Sequence, residues 1–367
     1  MTTRAVTYWI SAATVAAVIG TAALAGATHH DAITGSGSVA EAAPGGGQAP
    51  SNPNISMPRR TTTGTTSATS TQQAGIVTVV SALKYQQAES AGTGMILNSD
   101  GEILTNNHVI DGATSTRVTV ESTGRTYRAD VVGTDPTDDV AVLQMRNASG
   151  LTTAKIGDSS GVSVGDAVIG VGNAGGTGAL TASSGSITAL HKSITASDGS
   201  GQDSERLSGL IAIDAPIISG DSGGPLYNSA GQIIGMDTAA SANRVQTAAY
   251  AIPIDQATAI AAEIERGVET TSIHIGYPGF LGIGTAIDNT TKGVGVANVL
   301  PGGPAARAGM IQGVVITRVG GKAVHSGTAL RALLSTYDPG TSVRVIWIDP
   351  GGKRHASNVT LATGPAD

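Results

Sequence analysis

The chain has 367 residues, with 51 Gly, no Cys, 3% aromatic and 13% charged residues, and a net charge of −6. At about 150 residues per domain this is room for roughly two domains, of a small-residue, loop-rich β type. The charge gives no basic footprint for nucleic acid. The absence of Cys excludes a disulfide scaffold, thiolate catalysis and Cys-ligated zinc or iron–sulfur sites.

The chain opens MTTRAVTYWISAATVAAVIGTAALAGATHHDA, with no charge between Arg4 and Asp31. A positive start, an apolar run and small residues at Ala23-Leu24-Ala25 predict a secretory signal over 1–27. A retained membrane anchor is the alternative, since the run is long enough to span a bilayer. Either reading makes the chain exported: secreted, or associated with the cell envelope. Residues 28–75, poor in large apolar side chains, predict a disordered linker.

From Ile76 short apolar or alternating runs recur between Gly, Asn and Asp turns, including Ile76–Val80, Arg117–Glu121, Val140–Met145, Ala167–Val171, Leu210–Ile213 and Ile233–Met236. This spacing predicts an all-β sandwich or pair of barrels. In QATAIAAEIERG, Ala257, Ile260, Ala261 and Ile264 recur at helical spacing, with Asp255 as the expected cap and Gly267 as the stop, closing a domain over 76–267. A second set of strands, with a helix Thr328–Tyr337 capped by Ser326, forms a separate small domain over 273–363.

Three patterns in the β domain carry chemistry: TNNHVI around His108, DPTDDVAVL around Asp139, and GDSGGP around Ser222. Glycines flanking Ser222 permit positive φ and can turn successive N–H groups toward a developing oxyanion. A Ser hydroxyl needs a base to take its proton, and His108 is the candidate. Asp138 competes with Asp139 for the carboxylate role. Alternation favours Asp139, which shares a strand face with Ala141 and Leu143. His, Asp and Ser in that order, each beside a strand, is the order of chymotrypsin-type sites. The alternative G-x-S-x-G elbow requires a following helix, whereas Pro225–Met236 reads strand–turn–strand.

These motifs resemble those of the HtrA-like serine proteases, and the resemblance runs over about 76–363, nearest to the secreted PepA-type proteases of mycobacteria and relatives. It implies a double six-stranded, chymotrypsin-like β-barrel domain followed by a small α+β PDZ domain. It also implies a serine endopeptidase of unfolded or flexible proteins, with His108 as general base, Asp139 as its orienting carboxylate and Ser222 as nucleophile. The N–H groups of Gly220 and Ser222 would form the oxyanion hole. Asp221 stands where Asn is usual in the family and is expected to contribute mainly its backbone. In this fold the segment Ile211–Ile218 lines the first-subsite pocket. Pro216 stands where an Asp would select cationic side chains, so a small or medium apolar preference is expected.

In the C-terminal domain Gly279-Phe280-Leu281-Gly282-Ile283-Gly284 resembles a PDZ carboxylate-binding loop, so Leu281, Gly282 and Ile283 are expected to hold the C-terminus of a peptide. Val314 stands where HtrA proteins usually carry Asp. Gly170-Val171-Gly172-Asn173-Ala174-Gly175 fits a dinucleotide fingerprint, but no helix follows, since Gly176–Ser186 is Gly-, Thr- and Ser-rich, so the motif reads as a loop beside the active cleft. The His residues other than His108 are isolated or a mere pair, and Asp and Glu do not cluster at metal spacing, so no metal or cofactor is expected. The expected partners are unfolded protein substrates and C-terminal peptides, with no nucleic acid; a homo-oligomer stays open. The rival readings are a peptide-binding chaperone or adaptor with a silent protease domain, and an esterase using the same Ser.

Overall fold

The computed structural model describes residues 64–85, 87–197, 204–238, 249–286 and 293–366. The expected leader over 1–27 and residues 28–63 of the expected linker lie outside the described residues. No helix among the described residues is long and apolar enough to cross a membrane.

The described chain begins with β1 (Thr65–Ser67) and the single-turn helix α1 (Ser70–Gln73). Then follow β2 (Ile76–Leu83), β3 (Ala88–Ile96), β4 (Glu102–Thr105), the short helix α2 (Asn107–Ile110), β5 (Ser115–Val120), β6 (Arg125–Asp135) and β7 (Val140–Met145). These strands pair in the order β6-β5-β2-β3-β4-β7, and β6 pairs with β7 to close a six-stranded barrel. A second group follows: β8 (Ala167–Gly172), β9 (Thr181–Ser197), β10 (Ser204–Ile213), β11 (Pro225–Asn228), β12 (Ile233–Thr238) and β13 (Ala249–Pro253). It pairs in the order β9-β10-β13-β12-β11-β8 and closes through β8–β9. The double six-stranded barrel expected from sequence is therefore present.

The strand patterns explain how the barrels pack. In β7, Ala141 and Leu143 face the interior of the first barrel with Val77, Val79, Ile96 and Ile103. Val140 and Val142 point the other way, into a cluster shared with Val171, Met236 and Ile252 of the second barrel. A strand buried on both faces reads as an unbroken apolar run, as VAVL does. Helix α3 (Ile254–Glu265) lays Ile254, Ala257, Ala261 and Ile264 onto the same shared cluster. Its N-cap is Pro253, without a side-chain cap bond; Asp255 lies inside the first turn, and its Oδ2 accepts from Ser159 N–H at 3.1 Å. The expected Asp255 cap is thus corrected, because the preset φ of Pro253 already directs the chain into the helix. Gly267 ends the helix at φ 68° as expected.

Two further differences concern polar segments. Residues 64–75 belong to the folded barrels rather than to a disordered linker. There β1 pairs with β9, Thr69 and Gln72 form a capping box on α1, Ala68 is buried, and Tyr227 Oη donates to Gln72 O at 3.1 Å. Thr181–Ser197, whose first residues are Ser-, Thr- and Gly-rich and carry no strand pattern, is the longest described strand and pairs with both β8 and β10. Backbone pairing to two neighbours overrides its weak side-chain pattern.

After β14 (His274–Ile275), which adds to β6, the chain enters the C-terminal unit. Its elements are β15 (Gly279–Phe280), β16 (Ile283–Thr285), β17 (Val294–Val299), α4 (Pro304–Arg307), β18 (Val315–Val319), β19 (Lys322–Ala323), α5 (Gly327–Ser335), β20 (Ser342–Ile348), β21 (Arg354–Thr360) and β22 (Ala362–Thr363). The main sheet runs β16-β17-β18-β20-β21, with β19 on β18 and β15 paired to β22. Leu330, Leu333 and Leu334 of α5 belong to a separate core, which also holds Val314, Ile316, Val345 and Trp347. Ser326 caps α5 by accepting from Ala329 N–H at 3.1 Å, as the sequence predicts.

Candidate active site

His108 lies on the one-turn helix α2, between the barrels, with its side chain a quarter exposed. Its Nδ1 is 2.9 Å from Asp139 Oδ2 and 3.0 Å from Oδ1, and its backbone N–H donates to Asp139 Oδ1 at 3.0 Å. Asp139 is buried and sits in the turn before β7 at φ 55°, a left-handed conformation that Asp tolerates better than most residues. Asp139, favoured by alternation, is thus the residue that meets His108, although it lies outside the strand. Asp138 points elsewhere: its Oδ1 accepts from Gln256 Nε2 at 3.0 Å, and burial followed by the nearby Asp135 raises its pKa.

Two residues missed in the sequence hold Asp139 in place. Asn106, the N-cap of α2, donates from Nδ2 to Asp139 O at 2.9 Å, and Thr238 Oγ1 donates to Asp139 Oδ2 at 3.1 Å. The first belongs to TNNHVI, where an Asn beside a candidate base is a usable signal. The second comes from the other barrel and has no local signature.

Ser222 is buried in the turn between β10 and β11. Its carbonyl accepts from Thr93 N–H at 2.8 Å. A Cβ on Gly92 would lie 3.2 Å from Ser222 O and 2.6 Å from both methyls of Val109, so this glycine lets the Ser222 turn and the His108 helix approach the same point of β3. Gly220 and Gly223 take φ of 97° and 81°, and a Cβ on either would strike a backbone carbonyl, Asn173 O or Thr93 O. Thr93, also missed in the sequence, ties the turn to the first barrel: its Oγ1 donates to Gly220 O at 2.8 Å and accepts from Asn173 N–H at 2.9 Å. The amides of Asp221, Gly223 and Gly224 donate to Ile218 O, Asp237 O and Asp221 O respectively.

Asp221 contributes more than its backbone, which corrects the expectation. Its Oδ2 accepts from Ile218 N–H at 3.0 Å, closing the turn from the side-chain end, and burial pushes its pKa up to about 6. Asp237, in β12, is fully buried, and its pKa is raised well above the usual range by that burial and by Asp221. Both its oxygens and Asp221 Oδ1 lack a hydrogen-bond partner among the described residues. The glycines of the dinucleotide-like motif serve this pair. A Cβ on Gly172 would sit 2.7 Å from Asp221 Oδ1, and one on Gly170 would sit 2.7 Å from Asp237 Oδ2. Before the turn, Ile211, Ala212, Ile213 and Ala215 are buried, while Ile218 is half-exposed at 51%.

In the C-terminal unit Leu281, Gly282 and Ile283 line a groove of about 360 Å³ together with Leu330, Arg331 and Leu334 of α5. Gly282 takes φ 73°, which opens the loop. The first barrel supplies Tyr85, Asp111 and Gly112 to the groove's other wall, and the Tyr85 and Phe280 rings stack with centroids 5.5 Å apart. Val314 is buried in the core of the unit, so the turn entering β18 is anchored by an apolar contact. No group of three or more metal-ligating side chains occurs among the described residues.

The trypsin-like peptidase domain family matches residues 92–236 and the PDZ domain family matches residues 279–360. Serine protease PepD of Mycobacterium tuberculosis is 34% identical over 288 residues, covering 74% of this chain and 60% of the relative. The chain carries a trypsin-like peptidase domain followed by a PDZ domain, the order that the resemblance to HtrA-like proteases implies. Its similarity extends to the periplasmic pH-dependent serine endoprotease DegQ of Escherichia coli, 36% identical over 288 residues, covering 76% of this chain and 60% of that protein. The periplasmic serine endoprotease DegP of the same organism is 35% identical over 270 residues, with coverages of 71% and 54%. The chain thus spans between 54% and 60% of the length of these relatives.

Proposed function

We propose that this chain is an exported serine endopeptidase of unfolded or flexible protein segments, built from a peptidase unit over 64–275 and a PDZ unit over 279–363. The observation that carries the reading is the clamped His108–Asp139 pair. Asp139 meets Nδ1 of the ring and the backbone N–H of the same residue, and Thr238 holds the carboxylate from the opposite barrel. A carboxylate accepting at Nδ1–H leaves Nε2 as the basic nitrogen and stabilises the imidazolium that forms. His108 Nε2 takes the proton of Ser222 Oγ as the oxygen attacks the peptide carbonyl. The N–H groups of Gly220 and Ser222 receive the oxyanion, whose stabilisation in a dry site is worth several kcal/mol, about 10²–10³ in rate for one donor. His108 then protonates the leaving amine, and water releases the acyl group by the same steps in reverse order.

The half-exposed Ile218 beside the nucleophile turn supports a small or medium apolar first-subsite preference. The groove at Leu281–Ile283 supports capture of a peptide C-terminus, with an apolar last side chain against Leu330 and Leu334. Export rests on the apolar N-terminal run and on relatives described as periplasmic. Labelling with a fluorophosphonate and mapping of the adduct tests the reading. A single adduct on Ser222, together with cleavage of denatured casein, is expected. An unlabelled, folded chain that still binds peptides would make it a binding protein with a silent peptidase unit.

A further inference from the structure

The segment following β22 leaves the PDZ unit and enters the first barrel. Gly364 N–H donates to Pro278 O at 2.8 Å; Gly112 N–H then donates to Ala366 O, and Ala366 N–H to Ala113 O, each at 2.9 Å. Ala366 is 2% exposed and packs in the same apolar cluster as Val109, Ile110 and Ala113. Those residues are the helix that carries His108 and the turn by which the chain leaves it.

That helix cannot hold itself. It is a single turn of four residues, far below the length at which an isolated helix is stable. Its entry is fixed by Asn106 and Asp139. Its exit runs through Gly112, at φ 74°, a residue whose backbone is the least restrained of any. The buried Gly112 N–H and Ala113 C=O are satisfied by Ala366, and a buried backbone group stripped of its partner is destabilising. Thr114 N–H, which donates to Ala82 O at 2.9 Å, ties the exit further on, so between the helix and Thr114 the strand-like pairing of Gly112 and Ala113 is made to Ala366.

We propose that residues 364–366 are a positioning element for His108, a strap from the PDZ unit that fixes the exit of the His108 helix and so the ring's approach to Ser222. This inference rests on the peptidase reading above. The strap touches none of the reacting atoms; it acts through α2.

The test uses the full-length protein, a variant ending after Thr363, and the point variants Ala366→Asp and Ala366→Gly. The readouts are the rate of fluorophosphonate labelling at Ser222, kcat and KM on an internally quenched peptide, and the thermal melt. The shortened chain and Ala366→Asp are expected to label about tenfold more slowly, with kcat reduced in step and KM within about twofold. Ala366→Gly, which keeps both backbone bonds, is expected to stay within about threefold of the parent. Labelling of the shortened chain and of Ala366→Asp at the parent rate overturns the inference. Loss of the cooperative melt in both also overturns it, since the segment would then be a general part of the core. A parent chain that is folded but unlabelled removes the peptidase reading itself, and is distinguished from both outcomes by the parent alone.

Discussion

Thr238 Oγ1 donates to Asp139 Oδ2 at 3.1 Å across the junction of the two barrels. Asp139 and His108 are both supplied by the first barrel, Ser222 and Thr238 by the second. The carboxylate that orients the ring is therefore set only when the barrels are docked. The same junction holds Thr93, whose hydroxyl joins β3 to the Gly220 carbonyl. Docking of the barrels and assembly of the site are one event in physical terms.

Ser222→Ala should abolish fluorophosphonate labelling and casein cleavage. A residual acceleration of about 10³–10⁴ over water, from the oxyanion hole and binding, is all that should remain. The side chain is buried, so its lost hydrogen bonding should cost about 1 kcal/mol, a shift of a few degrees in the melt. Turnover close to the parent's would remove Ser222 as nucleophile.

Asp139→Asn should lower kcat by about 10⁴, because an amide at this position favours the wrong tautomer of His108. Asp138→Asn should change kcat by less than about threefold, since Asp138 is bonded to Gln256 and not to the ring. Steady-state kinetics on one quenched peptide compare the two, and a reversed order would reassign the carboxylate.

The buried Asp221 and Asp237 should make stability depend on pH in a defined direction. Both pKa values are raised in the folded chain, Asp221 to about 6. The folded state then binds more protons than the unfolded state above about pH 4, so stability is complete below that point and declines as pH rises through the folded values. Replacing both by Asn removes the decline. The Asp221→Asn/Asp237→Asn variant should melt several degrees above the parent at pH 7–8, with the two curves converging near pH 4. A gain that is the same at every pH would mean that the effect is packing and not proton linkage.

A chain beginning at Gly64 should retain the full stability of the barrels, whereas one beginning at Ile76 should not. The shorter form loses β1 and α1, removes Ala68 from the core and deprives Tyr227 of its acceptor at Gln72. The lost bond alone should cost about 1–3 kcal/mol. Denaturant melts of the two forms, compared at equal m-value, measure the difference.

In the PDZ groove, a peptide with a free C-terminal carboxylate and an apolar last residue should bind the full-length chain more tightly than its amidated twin. Loss of the charge-assisted bonds should cost about 1.5–3 kcal/mol, about one to two decades in affinity. Isothermal titration of the Ser222→Ala variant separates binding from cleavage. Equal affinities would assign the groove to internal peptide segments.

Where the sequence is legible, the reason is pattern. VAVL shows unbroken apolar character because both faces of its strand are covered, and the His108, Asp139 and Ser222 motifs are short and local. Thr65–Ser67 is opaque because backbone pairing, not side-chain burial, makes it a strand, and the buried residues of Thr181–Ser197 include small ones such as Ala182 and Ser183 that give little apolar signal. Asp237 and Thr238 carry their significance through contacts with Asp221 and Asp139 that no local window contains. Asp255 looks like a cap because the residue type is right; Pro253 makes the cap unnecessary.

Each closed barrel takes its seventh strand from outside its own run of sequence: β1 joins the second barrel, and β14 joins the first. A chain growing from its N-terminus thus holds β1 in reserve until β9 exists to receive it, and adds β14 to the closed first barrel only after the second has been made. Long-range pairings of this kind slow folding and expose unpaired edges in the interim. The order of emergence sets a clock on the site as well. A nascent chain that has folded its first barrel carries His108 and Asp139 but not Ser222, so on the proposed reading the triad is incomplete until the second barrel forms.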